Sequence, residues 1–211
     1  MTDKNSNLKI VESETPNPDA PNTDGRRNRS ERSKKRIVDA MLALLRAGDM
    51  HPSAAKVAEQ AEVSLRTVFR HFEEMDNLNR EMTAIMEAEI MPALFEPFTS
   101  TGWREQLSEM IGRRAKVYER VMPVRIAGAI KRFRSSFLMD NYNRSLGLET
   151  AGLKAILPDH ITKDEPLFSA LEMSLSFDSW RRLRQDQKLS QEKAEAALHF
   201  MVEKLIPLDA N

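Results

Sequence analysis

Apolar residues recur at intervals of three and four along most of the chain, and no stretch alternates apolar and polar positions with a period of two. The first spacing is typical of helices that bury one face, and the missing alternation argues against half-buried strands. The pattern therefore predicts an all-α fold of about nine helices. We expect them at Ser30 or Ser33 to Ala47, then at 54–61, 65–71, 76–91, 102–122, 124–131, 134–157, 164–187 and 190–205.

Residues with special backbone preferences mark the ends of these helices. Gly48 can adopt the left-handed conformation that stops the first helix, and Pro92 and Pro123 are expected to end two later ones. The predicted N-terminal caps are Ser53, Ser64, Thr162 with Glu165 as a capping box, and Ser190.

The first 30 residues differ in composition from the rest. They include three prolines between positions 16 and 21 and only three sizeable apolar side chains. So few apolar groups cannot build a core, and residues 1–30 are therefore predicted to form a disordered tail.

The segment 53–72 has the pattern most informative about function. On the predicted helix from Leu65, one arc holds the apolar residues that we expect to face the core, which are Leu65, Val68, Phe69 and Phe72. The opposite arc presents Arg66, Thr67, Arg70 and His71. Arginine can bond guanine in the major groove and the other side chains can hold phosphates, so a DNA-binding helix-turn-helix is one interpretation. An ordinary helix pair with a solvated charged face is the other.

Charge is unevenly distributed along the chain although its total is neutral. The 211 residues contain 32 Lys and Arg and 32 Asp and Glu, yet residues 26–72 carry a net charge of +6 between flanking segments of −3 each. The positive segment opens with a cluster that we call the basic arm, formed by Arg26, Arg27, Arg29, Arg32, Lys34, Lys35 and Arg36. The basic arm either reaches phosphates or the minor groove, or is a solubilising run before a helix.

Composition argues against several classes of protein. The chain has no cysteine and its four histidines show no metal-ligand spacing, so no disulfide and no metal site are expected. No catalytic triad recognisable from spacing, phosphate loop or paired-carboxylate motif is present, which predicts a protein that is not an enzyme and needs no cofactor. Without a long apolar run or a secretion signal, we expect a cytoplasmic protein with no membrane span.

Short motifs follow one another without gaps over about residues 33–80. They are Gly48, Val57-Ala58, Ala61-Glu62-Val63-Ser64, Thr67-Val68-Phe69-Arg70-His71-Phe72 and Leu78. Together they resemble the N-terminal domain of the tetracycline-repressor (TetR/AcrR) family of transcriptional regulators. The resemblance implies an all-helical homodimer, with a DNA-binding domain at 31–75, a helical ligand-binding and dimerisation domain at 76–211, and a palindromic double-stranded DNA operator.

The sequence departs from the family pattern at four positions. Glu62 replaces the usual turn glycine, so either the turn avoids positive φ or some strain is accepted. Phe69 lacks the hydroxyl that a tyrosine there offers to phosphate, and Met75 stands where the family often has a lysine. Asp49 replaces a common aromatic residue. Two phosphate contacts are therefore expected to be missing, and the basic arm could compensate for them.

The resemblance also assigns roles to individual residues. Arg66, Thr67 and Arg70 are candidates for base edges, and Leu65 for a thymine methyl group. Ser53, Ser64 and His71 are candidates for phosphate contacts, with the free amides at both helix N-termini contributing. The full candidate DNA-binding set is Ser53, Ser64, Leu65, Arg66, Thr67, Phe69, Arg70 and His71.

The last two predicted helices are candidates for a dimer interface. Helix 164–187 has apolar residues around most of its circumference, and helix 190–205 has one clean stripe. The stripe consists of Ala194, Ala197, Leu198, Met201, Val202 and Leu205. Two such helices from each subunit suit a four-helix interface, with a monomeric core as the alternative.

Methionines and aromatic residues between positions 82 and 143 mark the region in which the resemblance implies a small-molecule effector. The candidate ligand-binding residues are Met86, Ile90, Phe95, Trp103, Met110, Tyr118 and Phe137. Such residues also build ordinary cores. The eight basic residues from Arg113 to Arg134 accompany only Glu119, and they either attract an anionic effector or form a solvated helix face.

These observations predict a sequence-specific transcriptional regulator. We expect a homodimeric repressor that a small-molecule effector releases from its operator. A DNA-binding activator or an effector-independent regulator is the first alternative. A helical binding protein or enzyme without a DNA role is the second.

Overall fold

The structure, a computed structural model, describes residues 23–72 and 75–206, with side chains for 27–71 and 76–206. Those residues form ten α-helices and no strand, which confirms the all-α class. The helices are α1 (Thr23–Arg46), α2 (Ala54–Gln60), α3 (Leu65–Phe72), α4 (Met75–Phe95), α5 (Trp103–Ala129), α6 (Ser136–Ile156), α7 (Asp159–Thr162), α8 (Glu165–Ser174), α9 (Phe177–Arg181) and α10 (Gln191–Leu205). A 3-10 turn at Lys131–Arg134 precedes α6, and a π-helical turn at Arg182–Asp186 follows α9.

The first helix starts earlier than the sequence predicts. α1 begins at Thr23 and not at Ser30 or Ser33, so residues 23–30 are helical and the predicted tail is shorter than expected. The remainder of that tail, 1–22, lies outside the described residues. No glycine or proline occurs between positions 26 and 47, and the arginines and lysines there are good helix formers, so nothing local stops the helix.

The C-terminal half of α1 organises a small core with α2 and α3. Ile37, Met41 and Leu45 are buried on α1 and belong to the same apolar cluster as Val57 of α2 and Val68 of α3. Isolated helices as short as α2 and α3 are marginal in water, so this packing is what holds them.

Most predicted helix ends are confirmed. Gly48 has a φ of 95° in the turn after α1. The hydroxyl oxygen of Ser53 accepts from the amide of Lys56 at 3.2 Å, and that of Ser190 accepts from the amide of Lys193 at 3.3 Å. The predicted capping box of Thr162 is wrong: α7 occupies that position, and Asp164 caps α8 by accepting from Leu167 N at 3.1 Å.

Two prolines do not end their helices. α4 continues through Pro92 to Phe95, and α5 is one helix across Pro123, where two were predicted. Each proline removes one backbone hydrogen bond. In α5 the residues on either side of Pro123 are buried, among them Val121, Met122 and Ala127, so tertiary packing holds the helix together.

The predicted helix 164–187 is instead divided into α8, α9 and the π-helical turn. The break falls at Ser176, whose hydroxyl accepts from the amide of Ser179 at 3.2 Å and so caps a new helix. Serine side chains compete in this way with the helical hydrogen bonds of the backbone. The division explains the apolar residues on several sides, because Leu171, Phe177 and Trp180 are all buried on successive short segments.

α5 is the central helix of the molecule. It contacts α1, α4, α6, α9 and α10, and so joins the three N-terminal helices to the C-terminal ones.

Candidate DNA-binding face and interior cavity

The turn between α2 and α3 sets the orientation of α3. Glu62 in this turn has a φ of 48°, so the strained alternative for this position is the observed one. The Arg36 guanidinium of α1 donates to the Glu62 carbonyl oxygen at 2.9 Å and to its carboxylate at 2.8 Å. A glycine could adopt this φ without strain but could not offer the carboxylate. Glu62, which replaces the usual glycine, therefore links the turn to α1 through Arg36.

The exposed face of α3 is partly apolar. Arg66 and Arg70 are exposed as predicted, and Val68 is fully buried. The expectation that Leu65 and Phe69 face the core is wrong, because they are 44% and 54% exposed. Only part of the apolar arc meets α1 and α2. Leu65 and Phe69 stand four residues apart, so they share one side of the helix next to the two arginines.

The polar candidates around α3 have local partners. The Ser64 hydroxyl accepts from the Thr67 amide at 3.1 Å and lies 2.8 Å from the Thr67 hydroxyl. Ser53 and Ser64 are exposed, and Thr67 and His71 are half-buried. The two serines therefore cap α2 and α3 at exposed N-termini, as the sequence predicts.

The basic arm forms the N-terminal turns of α1. Arg27, Arg29 and Arg32 are exposed, and the side chain of Arg26 lies outside the described residues. Lys34 pairs with Glu81 of α4 at 2.7 Å, and Lys35 pairs with Asp39 at 3.2 Å. Lys34 and Lys35 are thus paired with carboxylates, whereas Arg27 and Arg32 project from the exposed N-terminal part of the helix.

Asp49 has a structural partner in the turn before α2. Its carboxylate accepts from the Lys56 ammonium at 2.8 Å, and this hydrogen bond lowers the pKa of Asp49 and raises that of Lys56. The pair joins the turn after Gly48 to the exposed side of α2.

A cavity of about 570 Å³ lies between α4, α5 and α6. Five of the predicted ligand-binding residues line it, namely Met86, Ile90, Phe95, Met110 and Tyr118. The other two candidates, Trp103 and Phe137, do not line it. Trp103, at the start of α5, borders a smaller pocket against α10, and the Phe137 ring lies under the Arg80 guanidinium at 4.3 Å from its centroid.

The wall of the cavity contains a cluster of buried and partly buried polar side chains. Arg114 is only 6% exposed and donates to the carbonyl oxygens of Leu175, at 3.0 Å, and Glu149. Arg125 donates to Glu149 Oε1 at 2.7 Å. The Tyr118 hydroxyl donates to the Leu175 carbonyl at 3.1 Å, and burial raises the pKa of this tyrosine.

The basic residues of α5 are thus neither all solvated nor all free for a ligand. Arg113 donates to the carbonyl oxygens of Glu96 and Pro97 and lies over the Phe98 ring. Sequence reasoning included Arg113, Arg114 and Arg125 in the basic run but missed Glu149. Glu149 lies in a separate helix, and its neighbours in sequence give no signal for the pairing.

Ion pairs connect the cavity helices to α1. The Arg46 guanidinium at the end of α1 donates to both oxygens of Glu89 on α4, at 2.9 and 3.0 Å, and to the sulfur of Met86 at 3.6 Å. Arg120 of α5 approaches the same carboxylate at 3.8 Å. Met86 and the neighbouring Ile90 line the cavity. The cavity wall therefore contacts the end of α1 through Arg46, Met86 and Glu89.

The candidate dimer helices pack largely on their own chain. Ala194 and Leu198, from the predicted stripe of α10, are fully buried within the subunit. Large exposed apolar side chains remain on both helices, with Met173 of α8 64% exposed and Phe200 of α10 59% exposed.

Within the described ranges, no group of three or more His, Asp or Glu residues is arranged to hold a metal ion. None of the described helices combines the length and the apolar character needed to cross a membrane.

The fold resembles a known crystal structure. That structure is a transcriptional regulator from Rhodococcus sp. Rha1, which is 19% identical in sequence and superimposes with a TM-score of 0.62. The match covers 82% of this chain and 95% of the other. At this identity the likeness establishes a shared fold. No protein-family model and no curated protein sequence matches the chain.

Proposed function

We propose that the protein is a sequence-specific DNA-binding transcriptional regulator of the TetR type. The observation that carries this proposal is the exposed face of α3, where Arg66 and Arg70 stand beside Leu65 and Phe69. Arginines on a short helix can bond guanine in the major groove, and apolar side chains can contact thymine methyl groups. An ordinary surface helix gains nothing from exposing a leucine and a phenylalanine together.

Contacts to the DNA backbone would come from both sides of α3. The amides at the N-termini of α2 and α3, capped by Ser53 and Ser64, are suited to phosphate. The exposed arginines of the basic arm would add electrostatic contacts that weaken with salt. The likeness in fold to a transcriptional regulator supports the same role.

We further propose that the protein acts as a homodimer in the cytoplasm, with residues 31–75 binding DNA and 76–211 binding the partner and an effector. Exposed Met173 and Phe200 supply apolar area for an interface on α8 and α10. A two-fold dimer presents two copies of α3, which requires a palindromic operator with half-sites about one helical turn apart.

A repressor released by an effector is the form of regulation that the cavity supports. The cavity is bounded by α4, and α4 is tied to α1 through Glu89 and Arg46. A ligand that binds one arrangement of α4 better than another would shift α1 and, with it, the two copies of α3. An activator or an effector-independent regulator would use the same α3 face, and the exposed arginines there disfavour an enzyme without a DNA role.

Selection from random duplex DNA tests the proposal directly. The full chain should enrich a palindromic sequence, and footprinting should then locate the protected half-sites near regulated genes. The double variant Arg66→Ala/Arg70→Ala should lose the enrichment. Arg182→Ala, which removes an exposed arginine far along the chain, is the matched control and should retain it. Equal binding of selected and scrambled duplexes by the unchanged protein would contradict the proposal.

A further inference from the structure

The lining of the cavity between α4, α5 and α6 contains more arginines than carboxylates. Four arginines and three glutamates line the cavity: Arg113, Arg114, Arg125, Arg144, Glu87, Glu96 and Glu149. Arg144 pairs with Glu87, and Arg125 pairs with Glu149. Arg113 is held by carbonyl oxygens and by Glu109 at 3.5 Å, outside the cavity lining. Arg114 is the remaining cation and is buried, whereas the remaining carboxylate, that of Glu96, is exposed.

Arg114 has no carboxylate of its own. Its guanidinium donates only to carbonyl oxygens of Leu175 and Glu149, and among residues 27–71 and 76–206 no carboxylate oxygen lies within 4.0 Å of it. The Glu149 carboxylate is engaged by Arg125 at 2.7 Å and by the amide of Phe177 at 3.4 Å. Two guanidiniums therefore share one negative charge in a wall that is largely out of water.

The carbonyl partners explain how Arg114 is positioned but do not neutralise it. Leu175 is the C-terminal cap of α8, so its carbonyl contributes only the partial negative charge of a helix end. A buried cation without a full counter-charge is costly, and a bound anion would remove that cost. The part of the cavity beside Arg114 thus favours a negatively charged group.

Most of the remaining surface of the cavity is apolar. Methionines and aliphatic side chains of α4 and α5 line it, including Met86, Ile90, Val117 and Val121. The lining also includes Phe95, which is largely exposed, so the cavity reaches solvent beside the end of α4. A ligand can therefore enter there and place its apolar body against these side chains.

We propose that the cavity binds an amphipathic carboxylate, with an apolar body between α4, α5 and α6 and its carboxylate at Arg114 and Arg125. This ligand class refines the effector of the proposed function and rests on that proposal for its regulatory meaning. The binding site itself rests only on the cavity and its charges. A neutral or cationic ligand of the same shape leaves the Arg114 charge unopposed.

Calorimetric titration of the full chain with three ten-carbon probes tests the ligand class. The probes are decanoate, 1-decanol and decylammonium, which differ only in their head group. Decanoate should bind at least about tenfold more tightly than decanol. A charge-assisted hydrogen bond contributes more binding free energy than a tenfold difference in dissociation constant requires. Decylammonium should bind most weakly. Equal or tighter binding of decanol or decylammonium, or no binding of any probe, overturns the proposal.

Matched variants locate the head group. Arg114→Met should remove the preference for decanoate over decanol, while Arg144→Gln, at a cavity arginine already paired with Glu87, should keep it. The reverse result overturns the assignment to Arg114. If Arg114→Met does not fold by circular dichroism, Glu149→Gln decides. That variant removes the competing carboxylate and keeps an acceptor for the Phe177 amide. Decanoate should therefore bind several-fold more tightly, and the affinity for decanol should not change. Unchanged or weaker decanoate binding refutes the proposal.

A mobility shift of the ligand-free protein on selected DNA separates this inference from the proposed function. Loss of DNA binding with an intact decanoate preference would contradict the proposed regulatory function and support the carboxylate site. DNA binding without a preference for decanoate would support the proposed regulatory function and contradict the carboxylate site.

Discussion

The Arg36 guanidinium holds both the carbonyl oxygen and the carboxylate of Glu62, at 2.9 and 2.8 Å, so α1 is fastened to the turn from which α3 starts. Glu62 has a φ of 48°, a conformation that a side chain makes unfavourable. The contact with α1 therefore offsets local backbone strain at the point that aims α3.

Substitution at Glu62 separates the strain from the contact. Both Glu62→Ala and Glu62→Gly lose the carboxylate that Arg36 contacts. Alanine keeps the backbone strain at positive φ, whereas glycine relieves it. We expect Glu62→Ala to be less stable than Glu62→Gly by about 1 kcal/mol in urea denaturation. Equal stability of the two variants would show that the backbone relaxes to negative φ.

Arg66 is expected to read a base. Arg66→Ala should weaken binding to the selected operator by about 1 to 3 kcal/mol while leaving binding to scrambled DNA nearly unchanged. His71→Ala, at a phosphate candidate, should weaken both alike. Fluorescence anisotropy titrations on the two duplexes measure this difference, and full discrimination by Arg66→Ala would remove the residue from the base-reading set.

The exposed arginines of the basic arm should contribute to salt dependence. Each phosphate contact adds about 0.9 to the slope of log K against log salt, so the triple variant Arg27→Ala/Arg29→Ala/Arg32→Ala should reduce the slope by up to about 2.7. The preference for operator over scrambled DNA should persist. An unchanged slope would assign the cluster to solubility alone.

Phe200 should hold the dimer. Phe200→Glu places a charge on the exposed apolar surface of α10 and should give a monomer by light scattering, where we expect the unchanged protein to give a dimer at micromolar concentration. Phe133→Glu is the matched control, because Phe133 is also largely exposed but lies in the turn before α6. A monomeric unchanged protein would contradict the proposed dimer, and dissociation by Phe133→Glu alone would place the interface elsewhere.

Glu109 should make stability depend on pH in the acid range. Hydrogen bonds from Ser100 and Thr99 lower its pKa from 4.5 to about 2. A lowered folded-state pKa stabilises the protein above the unfolded value, and this contribution is lost as pH falls. The stability advantage over Glu109→Gln should therefore be complete above pH 4.5 and shrink towards pH 2.

Urea denaturation at several pH values measures that advantage. Glu203→Gln, at an exposed glutamate of α10, is the control. If the stability advantage of the unchanged protein over Glu109→Gln grew on acidification, the prediction would be contradicted.

Local features of the sequence predicted the helix class and most helix ends. Ser53, Ser64 and Ser190 cap helices through their own neighbours, and Gly48 needs only its own backbone freedom. Such interactions span three or four residues, so they can be read before the fold is known. The exposure of Arg66 and Arg70 followed from the same helical spacing.

Features that depend on distant residues were missed. Pro123 remains inside α5 because its surroundings are buried, which the sequence around it does not reveal. Helical spacing placed Leu65 and Phe69 with Val68, but only the positions of α1 and α2 decide which of the three is covered. Arg114 meets Leu175 across 61 positions of chain, and no local pattern indicates that contact.

The early start of α1 changes the reach of the basic arm. As a helix, residues 23–36 span about 20 Å, whereas a fully extended chain of that length would span about 45 Å or more. A helical arm presents its arginines in a fixed array and loses little conformational entropy when it meets DNA. If α3 binds DNA as proposed, the arm could contact only phosphates close to those at α3, and we expect each subunit to protect a shorter stretch of DNA than an extended arm would allow.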